Sequence, residues 1–95
     1  MNLQKLMQEQ SVLMVDVREP YEFASGHVQG AENIPLSTIP DHIDRFRNID
    51  KPIVFYCRSG MRSGQAVAFL SGLGVREIYN GGGLDEMSAL AKVLT

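Results

Sequence analysis

The apolar residues of this chain fall into short continuous runs that alternate with stretches of helical spacing. Residues 12–15 and 53–56 are almost entirely apolar, which is typical of strands buried on both faces of a parallel sheet. Shorter stretches at residues 31–34 and 75–79 indicate two further strands. The pattern therefore predicts a central, mainly parallel sheet of four strands, or five.

Apolar residues three and four positions apart predict helices between these strands. The predicted helices cover residues 3–7 (with Asn2 as N-cap), 20–26, 39–49, 66–73 and 84–94. The glycines at residues 81–83 predict a turn, because glycine favours neither helix nor strand. Buried strands alternating with helices predict an α/β fold with helices on both faces of the sheet.

Length and charge narrow the function classes. The chain has 95 residues, which predicts a single domain over residues 1–95. A net charge of −2 gives no basic patch for nucleic acid or an anionic membrane. No apolar run approaches the ~18 residues of a membrane span, and the N-terminal residues show no signal peptide.

Cys57 is the single cysteine of the chain. A disulfide within the chain and a multi-cysteine zinc site are therefore excluded, and no metal site is expected. A free thiol suits a reducing compartment, so we expect a cytoplasmic location. A periplasmic location stays open if an upstream signal has been removed.

The segment after the second buried run carries the chemical signal. Cys57 ends a predicted strand, Gly60 follows three residues later, and Arg58 and Arg62 supply two permanent positive charges. A loop ahead of a helix can direct several backbone N–H groups at one point, where an anion is favoured. A cysteine at that point has a lowered pKa and is a nucleophile. A lone cysteine is more often inert packing, but this placement argues against that interpretation.

Several segments, in this order and spacing, resemble the single-domain rhodaneses, which are thiosulfate sulfurtransferase-type proteins. The segments are residues 15–19 (VDVRE), 21–23 (YEF), 26–36 (GHVQGAENIPL), 56–63 (YCRSGMRS) and 81–83 (GGG). The resemblance covers nearly the whole chain and implies a rhodanese-like three-layer sandwich. Many family members carry a Trp after the glycine run; this chain has none, and Met87 or Leu90 is expected to fill that space.

The resemblance implies that Cys57 attacks the outer sulfur of thiosulfate, releases sulfite and becomes a persulfide. Cyanide in the assay, a thiol in the cell or a protein acceptor would then take the sulfur. The resemblance also implies a substrate-binding loop. Its residues are Arg58, Ser59, Gly60, Met61, Arg62 and Ser63. No metal or organic cofactor is implied, and a monomer is expected.

Two alternatives stay open. The domain could be a non-catalytic sulfur carrier or a redox sensor that uses the same reactive thiol. Cysteine phosphatases have a related loop with an arginine six residues after the cysteine, whereas here Arg62 is fifth and Ser63 sixth. The shorter loop favours a sulfur atom over a tetrahedral phosphoryl or arsenate group, and an arsenate reductase would need a second thiol from a partner.

Four other polar residues have simpler interpretations. His27 is expected to be a hydrogen-bonding anchor rather than a catalytic base. Asp16 and Arg18 flank the end of the first buried run and are expected to form a structural ion pair or loop anchor. Glu22 is interpreted as a surface residue.

Overall fold

The computed structural model describes residues 3–94, with side chains described as far as residue 90, so the predicted cap at Asn2 lies outside it. In this part of the chain, parallel strands form one four-stranded sheet in the order β2-β1-β3-β4. The strands are β1 (Leu13–Asp16), β2 (Glu32–Asn33), β3 (Ile53–Cys57) and β4 (Ile78–Gly83). Their carboxyl ends lie at the same edge of the sheet.

Helices cover both faces of this sheet. They are α1 (Leu3–Glu9), α2 (Pro20–Ser25), α3 (Ile43–Asn48), α4 (Met61–Gly72) and α5 (Leu84–Leu94), with a 3₁₀ segment at Leu36–His42. Alternate side chains of β3 enter different cores: Phe55 packs in the cluster with Phe46 and Leu70, and Tyr56 in the cluster with Met87. This arrangement confirms the predicted α/β architecture. Among the described residues, no helix is long and apolar enough to cross a bilayer.

The glycine run departs from the sequence prediction. Residues 81–83 do not form a turn; they belong to β4, which begins at Ile78 rather than at residue 75. A Cβ on Gly81 would lie 2.5 Å from Met87 Sδ and 2.9 Å from Val54 Cγ1. At Gly81 the strand has no room for a side chain, because α5 and β3 pack closely against its backbone. This packing overrides the low strand propensity of glycine.

Two helical boundaries also differ from the prediction. The helix predicted over 39–49 is divided, because a 3₁₀ segment containing Pro40 runs to His42 before α3 begins. The helix predicted over 66–73 begins earlier, at Met61. Arg62 and Ser63 therefore lie in the first turn of α4 and not in a loop. Met87 is fully buried in the cluster that contains Val54 and Tyr56.

Candidate active site

Cys57 lies at the carboxyl edge of the sheet, where ligands bind in open parallel sheets. A register shift between Phe55 and Cys57 brings Cys57 opposite Gly83 of β4. The chain then turns through Gly60, which has a φ of +94° and directly precedes α4. A Cβ on Gly60 would lie 3.2 Å from Gly82 Cα. Both the positive φ and the close approach to β4 therefore require glycine at this turn.

This turn directs hydrogen-bond donors at the cysteine sulfur. Gly60 N–H donates to Cys57 Sγ at 3.0 Å, and Ser63 N–H donates to it at 3.5 Å. The Ser63 hydroxyl oxygen lies 3.4 Å from the same sulfur. The donors belong to the N-terminal end of a 12-residue helix, whose dipole also favours negative charge there. The sulfur thus lies at the point where the N–H groups of this turn converge.

Two opposing influences set the pKa of Cys57. Burial of the thiol, which is 1% exposed, is the largest single influence and raises the pKa. The Ser63 hydroxyl and the N–H groups of Ser63, Ser59 and Gly60 lower it, and together they prevail. The pKa of Cys57 therefore lies below that of an ordinary thiol, so the site favours the thiolate form.

Asn80 of β4 ties this turn to the sheet, and the sequence interpretation did not single it out. Its Nδ2 donates to the Gly60 carbonyl oxygen at 2.9 Å. Its Oδ1 accepts from the Ser63 hydroxyl at 2.7 Å and from Gly82 N–H at 2.9 Å. One signal could have identified it, because Asn80 directly follows the predicted strand 75–79, and polar residues at carboxyl ends of parallel strands face ligand sites.

The two arginines of the predicted substrate loop have different surroundings. Arg62 donates from Nη1 and Nη2 to the Glu22 carboxylate at 2.8 and 3.1 Å. The interpretation of Glu22 as a surface residue did not foresee this ion pair, in which the Glu22 side chain is 17% exposed. Arg58 is exposed and lines an open cavity of about 400 Å³. Arg58 is consequently the better placed of the two to meet an incoming anion.

Ser59 and Met61 occupy the outer side of the turn. Ser59 is exposed, and its backbone N–H is the part that supports the thiolate. Met61, the first residue of α4, is 75% exposed at the rim of the site. The turn thus brings the N–H groups of Gly60 and Ser63 and the Ser63 hydroxyl to the sulfur, while the side chains of Ser59 and Met61 lie on its exposed side.

A buried ion pair supports the wall of the site. Arg18 Nη2 donates to Asp16 Oδ2 at 2.6 Å, and the two side chains are 6% and 0% exposed. Arg18 Nη2 also donates to the Gly26 carbonyl at 2.8 Å, which fixes the end of α2. His27 stacks on Phe23 and hydrogen-bonds its carbonyl oxygen at 2.9 Å. These contacts confirm the predicted structural roles of Asp16, Arg18 and His27.

The donors and charges around Cys57 suit a nucleophile that carries a small, negatively charged group. Within the described residues, no three His, Cys, Asp or Glu side chains are grouped so that they could hold a metal ion. The backbone N–H groups can stabilise negative charge on the cysteine sulfur or on an atom attached to it.

Comparison with known proteins places this site in context. A family model described as "Rhodanese-like domain" matches residues 2–89. The chain is 39% identical over 80 residues to the thiosulfate sulfurtransferase PspE of Escherichia coli (strain K12). This match covers 83% of the chain and 76% of PspE.

The chain is also similar to the protein YqhL of Bacillus subtilis (strain 168), at 48% identity over 67 residues. This match covers 70% of the chain but 52% of YqhL, so the chain spans about half the length of that relative. Among solved structures, "rhodanese with anions from E. coli" superposes with a TM-score of 0.73 at 36% identity, covering 80% of this chain and 91% of that one.

Proposed function

The chain belongs to the rhodanese-like domain family, and from that membership we propose that it transfers sulfane sulfur through a persulfide on Cys57. The donor is thiosulfate or a persulfide, and the acceptor is cyanide, a small thiol or a protein thiol. Relatives named thiosulfate sulfurtransferase support the sulfurtransferase class. The observation that carries the proposal is the buried Cys57 sulfur, which faces the N–H groups of Gly60 and Ser63.

The first step moves sulfur onto the enzyme. The Cys57 thiolate attacks the outer sulfur of thiosulfate, a new S–S bond forms, and the bond to the sulfite group breaks with its electron pair leaving on sulfite. The total charge is unchanged, since thiolate and thiosulfate yield a persulfide anion and sulfite. In the second step cyanide attacks the outer persulfide sulfur and leaves as thiocyanate, which restores the thiolate.

We assign the binding roles from the placement of each group. The N–H groups of Gly60 and Ser63 hold the charge of the persulfide, and Arg58 on the cavity wall orients the anionic donor. Arg62 contributes its charge from within its pair with Glu22. Ser59 and Met61 form the rim that the donor passes.

Mass spectrometry after incubation with thiosulfate tests the proposal. Wild-type protein should gain the mass of one sulfur on Cys57, and addition of cyanide should remove it as thiocyanate. The Cys57→Ser variant should gain no sulfur and form no thiocyanate, because a hydroxyl is not ionised at neutral pH.

Two results would overturn the proposal. One is a folded wild-type protein that takes up no sulfur from thiosulfate or from a small-molecule persulfide. The other is thiocyanate formation that persists at the wild-type rate in Cys57→Ser, which would place the chemistry elsewhere.

A further inference from the structure

An ion pair beside the nucleophile changes the charge that a sulfur donor meets. Glu22 of α2 and Arg62 of α4 form a two-point pair, with contacts of 2.8 and 3.1 Å. Arg62 lies close enough to Cys57 for a thiolate there to raise the pKa of the guanidinium. The negative charge of Glu22 therefore offsets the positive charge of Arg62, which lies near the reacting sulfur.

The neighbours of Glu22 favour its ionised form. The hydrogen bonds from Arg62, assisted by the Glu19 N–H, lower the pKa of Glu22 to about 2. The pair is also partly sheltered, because the side chains of Arg62 and Glu22 are 34% and 17% exposed. Solvent consequently screens the carboxylate less than it would screen a free surface glutamate.

The charges of the cavity wall cancel when the ionic partners of its residues are counted with them. The wall and its ionic partners carry three guanidinium groups, Arg18, Arg58 and Arg62, and three carboxylates, Asp16, Glu22 and Asp85. The formal sum is zero. Two arginines without carboxylate partners would instead attract a donor in proportion to its charge and favour dianions.

Resting on the proposed sulfur transfer, we infer that Glu22 is a specificity-determining residue that biases the site against doubly charged donors and towards singly charged ones. The favoured class comprises thiosulfonates (R–SO₂–S⁻) and small persulfides (R–S–S⁻). A thiosulfonate reacts in the same balanced way as thiosulfate. The Cys57 thiolate takes the terminal sulfur, and a sulfinate leaves with the electron pair of the broken S–S bond.

The test compares kcat/KM for thiosulfate and for methanethiosulfonate in wild type and in Glu22→Gln. Glutamine keeps the size of the side chain and can still accept the Glu19 N–H at the start of α2, so the helix cap is retained. Removing the negative charge of Glu22 should raise kcat/KM about threefold for the singly charged methanethiosulfonate. For the doubly charged thiosulfate the rise should be about tenfold, because the Coulomb energy is proportional to the charge of the donor. The gain should shrink as ionic strength increases.

Two matched variants separate charge from structure. Glu22→Gln combined with Arg62→Gln removes the pair as a whole, and the ratio of kcat/KM for the two donors should return close to the wild-type value. Asp50→Asn makes the same change in net charge at the opposite end of the sheet, just before β3 begins at Ile53, and should leave that ratio unchanged.

The outcomes are distinct. If kcat/KM in Glu22→Gln changed by the same factor for both donors, in either direction, the inference would be overturned. The ion pair would then have only a structural role, and the proposed sulfur transfer would still stand. A double variant that keeps the altered ratio would overturn it as well. Absence of transfer from both donors in wild type would overturn the proposed function, and the inference with it.

Discussion

Replacing Ser63 by alanine should weaken the ionisation of Cys57 while the backbone of the turn stays in place. Ser63 is fully buried, and its hydroxyl oxygen lies 3.4 Å from Cys57 Sγ and 2.7 Å from Asn80 Oδ1. The variant loses the hydroxyl but keeps the Ser63 N–H that faces the sulfur. Alanine also suits the first turns of a helix, so α4 should still form.

The magnitude follows from the hydrogen bond that is removed. A hydrogen bond to a charged group contributes ~1.5–3 kcal/mol. Because the contact to Sγ is long and Asn80 competes for the single hydroxyl proton, we expect the lower end, ~1.5 kcal/mol, or about a tenfold change in the thiol–thiolate equilibrium. The pKa of Cys57 should rise in the variant.

The assay is the rate of alkylation by iodoacetamide as a function of pH, since only the thiolate reacts. At pH values below the pKa of Cys57 in both proteins, the variant should react about tenfold more slowly than wild type. At pH values well above both pKa values the two rates should converge. Ser59→Ala is the matched control. Its hydroxyl is in the same turn, but only its backbone N–H supports the thiolate, so its pH profile should stay close to wild type.

Stability should follow the same pH dependence. Folding lowers the pKa of Cys57, so these hydrogen bonds stabilise the fold fully above the pKa of the unfolded thiol. This contribution is lost as the pH falls through the folded pKa. The difference in unfolding free energy between wild type and Ser63→Ala, measured in urea, should therefore be larger at alkaline pH. Superimposable alkylation profiles, or an equal shift in Ser59→Ala, would refute this account of the sulfur.

Two further predictions concern the scaffold. Met87→Ala should lower the unfolding free energy by ~2–5 kcal/mol, because it leaves a cavity beneath Gly81, and urea titration should detect this loss; a change under ~1 kcal/mol would contradict the packing. Gly83→Ala should destabilise the fold by ~1–3 kcal/mol and slow the alkylation of Cys57, because the added Cβ meets the Arg58 carbonyl oxygen. Gly72→Ala, whose Cβ would enter open space, is the control, and a similar loss there would contradict the steric explanation.

The strands that the sequence predicted best are those buried on both faces. Residues 12–15 and 53–56 are apolar because their side chains enter a core on each side of the sheet, and β1 and β3 appear where expected. The end of the second run marks the sheet edge, so the position of Cys57 followed from the same pattern. The family resemblance added the expected chemistry of the turn.

The glycine run shows why composition was misleading in β4. Propensity describes what an isolated segment prefers, and three glycines prefer neither regular structure. In the folded chain, Gly81 faces Met87 and Gly83 faces the Arg58 carbonyl oxygen, so only residues without a side chain fit. Neither neighbour could be assigned before α5 and the turn after β3 were placed.

The sequence by itself thus determined the fold class and the sheet edge at which Cys57, the proposed nucleophile, lies, because burial leaves a periodic record along the chain. Only the tertiary structure decided which partners complete the site. Glu22 meets Arg62 across 40 positions, and Asn80 meets Ser63 across 17. Such pairs leave no periodic signal, since their contact depends on how separate helices and strands meet at the edge of the sheet.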